Sequence, residues 1–135
     1  MAVPVSDIAT IAAATTLVNN LDELVVTLSS TSTTATFGPF YNPRAALRLA
    51  IDIGAITGSL TVTMLGYDNS SGATWTVIAS AALSSTGLTR IEVGPYIAAS
   101  ANAIAQDYAP VFYQVLCTIV TGPVTATIGA HGIGA

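Results

Sequence analysis

The sequence predicts an all-β chain folded as an antiparallel two-layer β-sandwich, jelly-roll or Ig-like, with about eight strands. Three observations predict it. Apolar and polar residues alternate with period 2 along most of the chain, turn residues recur at regular spacing between the alternating runs, and helical-period runs are scarce. At 135 residues the chain is long enough for one domain with a genuine core. Residues 1–20 read as an N-terminal arm and 21–135 as the sandwich domain.

The arm is rich in Ala and Thr and matches neither period cleanly, although Ser6 or Asp7 could cap a short helix. With no periodic face to bury, it offers its apolar residues Ile8, Ile11 and Leu17 as candidate contacts. From Asp22 the pattern turns to strand: Leu24, Val26 and Leu28 alternate with Val25, Thr27 and Ser29, and a second run ends at Thr36-Phe37. Gly38-Pro39-Phe40-Tyr41-Asn42-Pro43 then breaks the alternation. Proline removes a donor and fixes φ, so this segment is expected to cross between sheets. Its aromatics either plug the end of the core or stand out as a contact surface, which makes Phe40 and Tyr41 candidate interaction residues. Leu47-Arg-Leu49-Ala-Ile51-Asp-Ile53 is the clearest alternation of all, aliphatic on one face with Arg48 and Asp52 on the other.

Residues 57–83 form the central hairpin. Leu60, Val62 and Met64 alternate with Thr61, Thr63 and Leu65, Gly66-Tyr67-Asp68-Asn69-Ser70-Ser71-Gly72 supplies the turn, and alternation resumes with Trp75, Val77 and Ala79. Trp75 shares the face of Val77 and is expected to anchor the core. After Ser84-Ser-Thr-Gly87, a short strand carries Ile91 and Val93 on one face and Arg90 and Glu92 on the other, so Arg48, Asp52, Arg90 and Glu92 suggest cross-strand ion pairs. Gly94-Pro95-Tyr96 ends that strand, and Tyr96 opens a long connection with room for a helical turn; connections of this kind often carry interactions. Val111–Val120 is apolar on both faces, the mark of a central strand covered on both sides by sheet, loop or neighbouring subunit, and 124–130 pairs back as the last strand.

Composition narrows the function. Charged residues make up 7% of the chain, against roughly 25% in an average soluble domain. Three Arg, no Lys and a net charge of −4 leave no basic patch for nucleic acid. No window approaches the ~18 consecutive apolar residues of a membrane span. The N-terminus lacks the positively charged region of a secretory signal, so export by that route is not expected. Cys117, alone and in an apolar stretch, reads as a buried inert thiol. The single His131 has no carboxylate partner nearby in sequence, metal-ligand spacing is absent, and no phosphate-binding glycine loop occurs. Neither an enzyme nor a cofactor is expected.

From about Pro43 onward a series of short motifs appears in order. These are Leu60-Thr-Val-Thr63, Gly66-Tyr-Asp68 with Ser71-Gly72 and Trp75, Ile78-Ala-Ser-Ala-Ala-Leu83 with Thr86-Gly87, Val93-Gly94-Pro95, Ala101-Asn102 with Ala105 and Asp107 to Pro110, and Ile128-Gly129-Ala130. In this order the chain resembles small structural proteins of tailed-phage virions, of the capsid decoration or cement type. It departs from their pattern at Phe112-Tyr-Gln114, where they carry arginines. The resemblance implies a non-enzymatic protein made in the host cytoplasm and carried on the capsid surface of the virion. Its implied partners are the major capsid protein and itself, as a homo-oligomer with a trimer favoured, and neither nucleic acid nor membrane. Two other readings stay open: a tail-tube or other tail structural protein, and a carbohydrate-binding module using Trp75, Tyr67 or Tyr96.

Overall fold

The computed structural model describes residues 2–5, 23–28, 33–121 and 123–133. They form ten strands: β1 (Ala2–Val5), β2 (Glu23–Leu28), β3 (Thr33–Tyr41), β4 (Ala46–Ile56), β5 (Ser59–Tyr67), β6 (Thr74–Ala79), β7 (Gly87–Gly94), β8 (Ile104–Gln106), β9 (Phe112–Val120) and β10 (Val124–Ile133). No helix occurs among the described residues. One sheet has the order β1-β2-β10-β4-β7-β8 and the other β3-β9-β5-β6.

The eight strands read from alternation are all present, in the order β2-β10-β4-β7 facing β3-β9-β5-β6. The pairings are nested: β5 with β6, β4 with β7, β3 with β9 and β2 with β10, all antiparallel. Folding one long ribbon of paired strands across two layers in this way makes a jelly roll, which decides between the two expected sandwiches. The two additional strands are short and pair in parallel, β1 with β2 and β8 with β7. β1 takes residues 2–5 of the expected arm into the sheet; Ile8, Ile11 and Leu17 lie outside the described residues. β8 stands in the connection where a helical turn had room.

The core lies between the sheets and is built by alternation. Leu47, Leu49, Ile51 and Ile53 of β4, Ile91 and Val93 of β7, and Val124, Ala126, Ile128 and Ala130 of β10 point inward from one layer. Phe37 and Phe40 of β3, Leu60, Val62 and Met64 of β5, and Tyr113, Val115, Cys117 and Ile119 of β9 meet them from the other. Full burial pushes the Cys117 thiol up to about 12, so it stays protonated and unreactive.

Two expectations about the chain's path change. The Gly38-Pro39 segment does not cross between sheets, because β3 continues through it with a bulge between Phe37 and Phe40. β3 is an edge strand, where a missing N–H costs no ladder bond, and Gly38 takes φ +111°, a conformation open to glycine. The crossing comes later, at residues 42–45. There the buried Asn42 side chain donates to the carbonyls of Arg44 (3.0 Å) and Pro110 (3.4 Å) and accepts from the Arg44 N–H (3.2 Å), pinning the crossover to the segment before β9. Of the expected charge pairs, Arg48 and Glu92 form one: they stand opposite each other in the β4–β7 register, with Arg48 Nε 3.1 Å from Glu92 Oε1. Asp52 faces Leu88, and Arg90 faces Ala50.

Candidate functional site

β9 occupies the middle of the four-stranded sheet between β3 and β5, so its backbone is paired on both sides. The other sheet covers its Tyr113–Ile119 face. Its opposite face, Phe112, Gln114, Leu116 and Thr118, is half-buried, and Val120 is exposed. The register sets these residues in cross-strand rows: Tyr41 beside Phe112, Gln114 beside Leu65, Leu116 between Thr36 and Thr63, and Thr118 between Thr34 and Thr61. Tyr41 is 58% exposed, with its ring 5.7 Å from that of Phe112. None of the residues of β3, β5, β6 or β9 is charged. The other sheet thus meets β9 on one side only; on the other, its side chains are half-buried among their cross-strand neighbours, with Thr63 beside Leu116 buried. Chemically, this face offers hydroxyls, methyls and two aromatic rings for contact.

Phe40, a candidate contact, belongs instead to the core. It is 4% exposed, and its ring lies 5.6 Å from that of Tyr113. The bulge before it is the reason, since one extra residue in β3 turns Phe40 to the inner face beside Tyr113 and leaves Tyr41 outside. Trp75 errs in the opposite direction. It was expected in the core, yet it is 51% exposed. Trp75 itself faces inward, pairing with Gly66, which follows Met64 in the inward series, and a Cβ on Gly66 would fall within the indole; but a bulge in β6 breaks the expected alternation, so that Ile78 pairs with Met64 and Ala79 with the outward Thr63. β6, however, is an edge strand, and Trp75 stands at its beginning, where it borders a cavity shared with Gln106, Tyr108 and Pro110 in place of closed packing. The ring therefore lies across the glycine as a cover for the end of the sheet.

The turn beside Trp75 is locally self-sufficient. Asp68 Oδ1 accepts from the Ser70 N–H at 2.9 Å and Oδ2 from Ser71 Oγ at 2.8 Å, while the Gly72 N–H donates to the Asp68 carbonyl at 2.7 Å. These donors, the Ser70 N–H foremost, hold the Asp68 carboxyl below its ordinary range. Ser80 plays a comparable role in the Ile78–Leu83 motif. β6 ends at Ala79, and the Ser80 hydroxyl accepts from the Val62 N–H (3.0 Å) and donates to the Ala81 carbonyl (2.8 Å), satisfying a β5 donor where the strand has left. Serine's ability to stand in for a backbone acceptor was the available signal.

On the loop after β7, Tyr96, one of the contact candidates, is 88% exposed. Tyr108, which the sequence reading passed over, is 66% exposed on the segment that follows β8. Its signal was an aromatic ring in a stretch without alternation, between Asp107 and Pro110. Among the described residues no group of three or more His, Cys, Asp or Glu side chains gathers to hold a metal ion, and no helix is long and apolar enough to cross a membrane. No protein-family model matches the chain, and no curated protein matches it either.

Proposed function

We propose that this chain is a structural protein of a tailed-phage particle, a non-enzymatic capsid decoration or cement protein. It sits on the outside of the head against the major capsid protein, as a homo-oligomer for which a trimer is favoured. The observation that carries this reading is the uncharged outer face of β3-β9-β5-β6. A sheet face without a charged side chain, with Phe112 and Leu116 on its central strand, suits a protein whose working state buries that face against copies of itself or a shell. The order of motifs from Leu60 to Ala130 supports the phage assignment. The jelly roll adds only an analogy, being an architecture shared by viral capsid and lectin domains.

The test is reconstitution. Purified protein is mixed with undecorated heads and the particles are reconstructed by electron microscopy; the expected result is density on the head surface with the Leu116 face turned to a neighbouring copy or to the shell. Protein absent from heads overturns the decoration reading, and density confined to the tail establishes the tail-protein alternative. Deleting residues 6–20 in the same assay asks whether Ile8, Ile11 and Leu17 contribute to attachment. Occupancy like that of the full chain removes them from the interface.

A further inference from the structure

The six-stranded sheet opens at one end into a groove of ≈ 440 Å³, between the Pro95–Ile97 loop and Tyr108. Its floor is laid by strands whose backbones are already paired. Ala46 of β4 stands opposite Ile133 of β10, and Gly94 ends β7 beside them. A side chain on Gly94 would run into Ile97 and Ala46, so glycine lets Ile97 seat directly on the strand. In the next row Arg48 and Glu92 form their ion pair, with side chains 33% and 19% exposed, so both reach the groove from its base.

Tyr96 and Tyr108 line this groove, and Tyr108 is held there by backbone. The Asp107 N–H donates to the Gly94 carbonyl at 3.1 Å, the Ala109 N–H donates to the Ala45 carbonyl at 2.8 Å, and the Tyr108 N–H donates to Asp107 Oδ1 at 2.7 Å. An aromatic ring left in water on a backbone tied at both neighbours is a preorganised contact surface, because little further ordering is needed to use it.

The chemistry of the groove selects a class of ligand. Exposed rings and an aliphatic floor suit the C–H faces of a pyranose. Arg48 donors not used by Glu92, and the Glu92 oxygens beside them, suit hydroxyls that donate and accept together. The pair sums to zero charge, so an anion would meet Glu92 and a cation Arg48; a neutral ligand meets neither penalty. A peptide strand finds no free ladder on the floor, since β4 lies between β10 and β7. The volume is that of a small-molecule site.

We propose that this groove binds a neutral saccharide, packed on Tyr96 and Tyr108 and hydrogen-bonded through its hydroxyls to Arg48 and Glu92. The proposal is independent of the decoration reading and holds whether or not the protein is found on heads. It is tested by NMR on isotopically labelled full-length protein titrated with glucose, galactose, mannose and N-acetylglucosamine, with N-acetylneuraminic acid and glucosamine as charged controls. A neutral sugar is expected to shift amides of residues 92–97 and 107–109 saturably, and the charged controls to do so more weakly. Tyr108→Ala is expected to weaken binding about tenfold, with Tyr96→Ala acting in the same direction and Leu88→Ala, exposed near the far end of β7, without effect. Glu92→Gln is expected to turn the preference toward N-acetylneuraminic acid, a change that mere loss of packing would not produce. The proposal is overturned if no neutral sugar moves the groove amides of the folded protein, or if shifts gather at Tyr67 and Trp75. Groove amides that move with protein concentration alone overturn it too, by assigning the surface to a second copy.

Discussion

The two outer faces of this sandwich are built from the same period-2 alternation and differ in almost everything else. On the six-stranded sheet, the outward positions of β4 and β7 carry Arg48 and Glu92, paired and partly exposed, and Asp52 and Arg90, exposed. On the four-stranded sheet the corresponding positions hold Thr34, Thr36, Thr61, Thr63, Leu65, Gln114, Leu116 and Thr118. A chain with 7% charged residues has thus concentrated strand charge on one layer and left the other with none. Low charge averaged over a chain says little about solubility. Low charge gathered on one face marks that face as the one the proposed assembly would cover.

The sharpest way to break this comparison is to attack the two sides of the four-stranded sheet separately. Phe37 is fully buried on the inner side, and Phe37→Ala should destabilise the fold by about 3–5 kcal/mol, measured by denaturant titration. Leu116→Glu, on the outer side, should leave the unfolding midpoint nearly unchanged while abolishing self-association in sedimentation and occupancy on heads. Arg90→Glu, on the charged face, should do neither. If Leu116→Glu assembles as the parent does, the uncharged face is not the interface.

Trp75 comes next in size and tests where the uncharged sheet ends. A core position would lose as much as Phe37, whereas a ring half in water over Gly66 should lose about 1–2 kcal/mol on truncation to Ala. A loss equal to that of Phe37→Ala would return Trp75 to the core and contradict its exposure. Gly66→Ala supplies the reciprocal probe, because the added methyl must displace the indole.

The misplacement of Trp75 and the choice left open at Phe40 show two limits of alternation. Alternation reports which side of a strand a residue faces, and it did so for Leu47 to Ile53 and for Leu60 to Met64, but not through the bulge between Trp75 and Ala79. It does not report how far the opposing layer extends, and so it placed a strand-end ring in the core. Nor does it survive a bulge: one extra residue at Gly38-Pro39 reversed the faces of Phe40 and Tyr41. The strand count was legible except for β1 and β8, which have four and three residues and too few periods to register. Tyr108 left only the signal of an aromatic ring in a stretch without alternation, and Asn42 was illegible because its side chain closes on the Pro110 carbonyl, far away in the chain.

A smaller effect lies on the charged face. Arg48 and Glu92 are partly exposed, so their pair should contribute about 0–1 kcal/mol in a double-mutant cycle, and less as salt is raised. A coupling well above that range would mean that the charged face holds the fold together instead of solvating it.

The smallest effect belongs to Asp68, the charge at the tip of the β5–β6 hairpin where the uncharged sheet runs out. Its carboxylate is fully exposed and accepts from the Ser70 N–H and the Ser71 hydroxyl, which lowers its pKa in the folded protein. A depressed folded value stabilises the protein above the unfolded carboxylate pKa, and that contribution disappears as pH falls through the folded value. Asp68→Asn keeps an acceptor for Ser70 and removes the charge. The variant should therefore be slightly less stable than the parent at neutral pH, and the gap should close on acidification. Thermal unfolding of both proteins from neutral to acid pH measures it. A gap that persists at low pH would locate the role of Asp68 in the shape of the turn rather than in its charge. The uncharged sheet would then owe nothing to the charge that stands at its border.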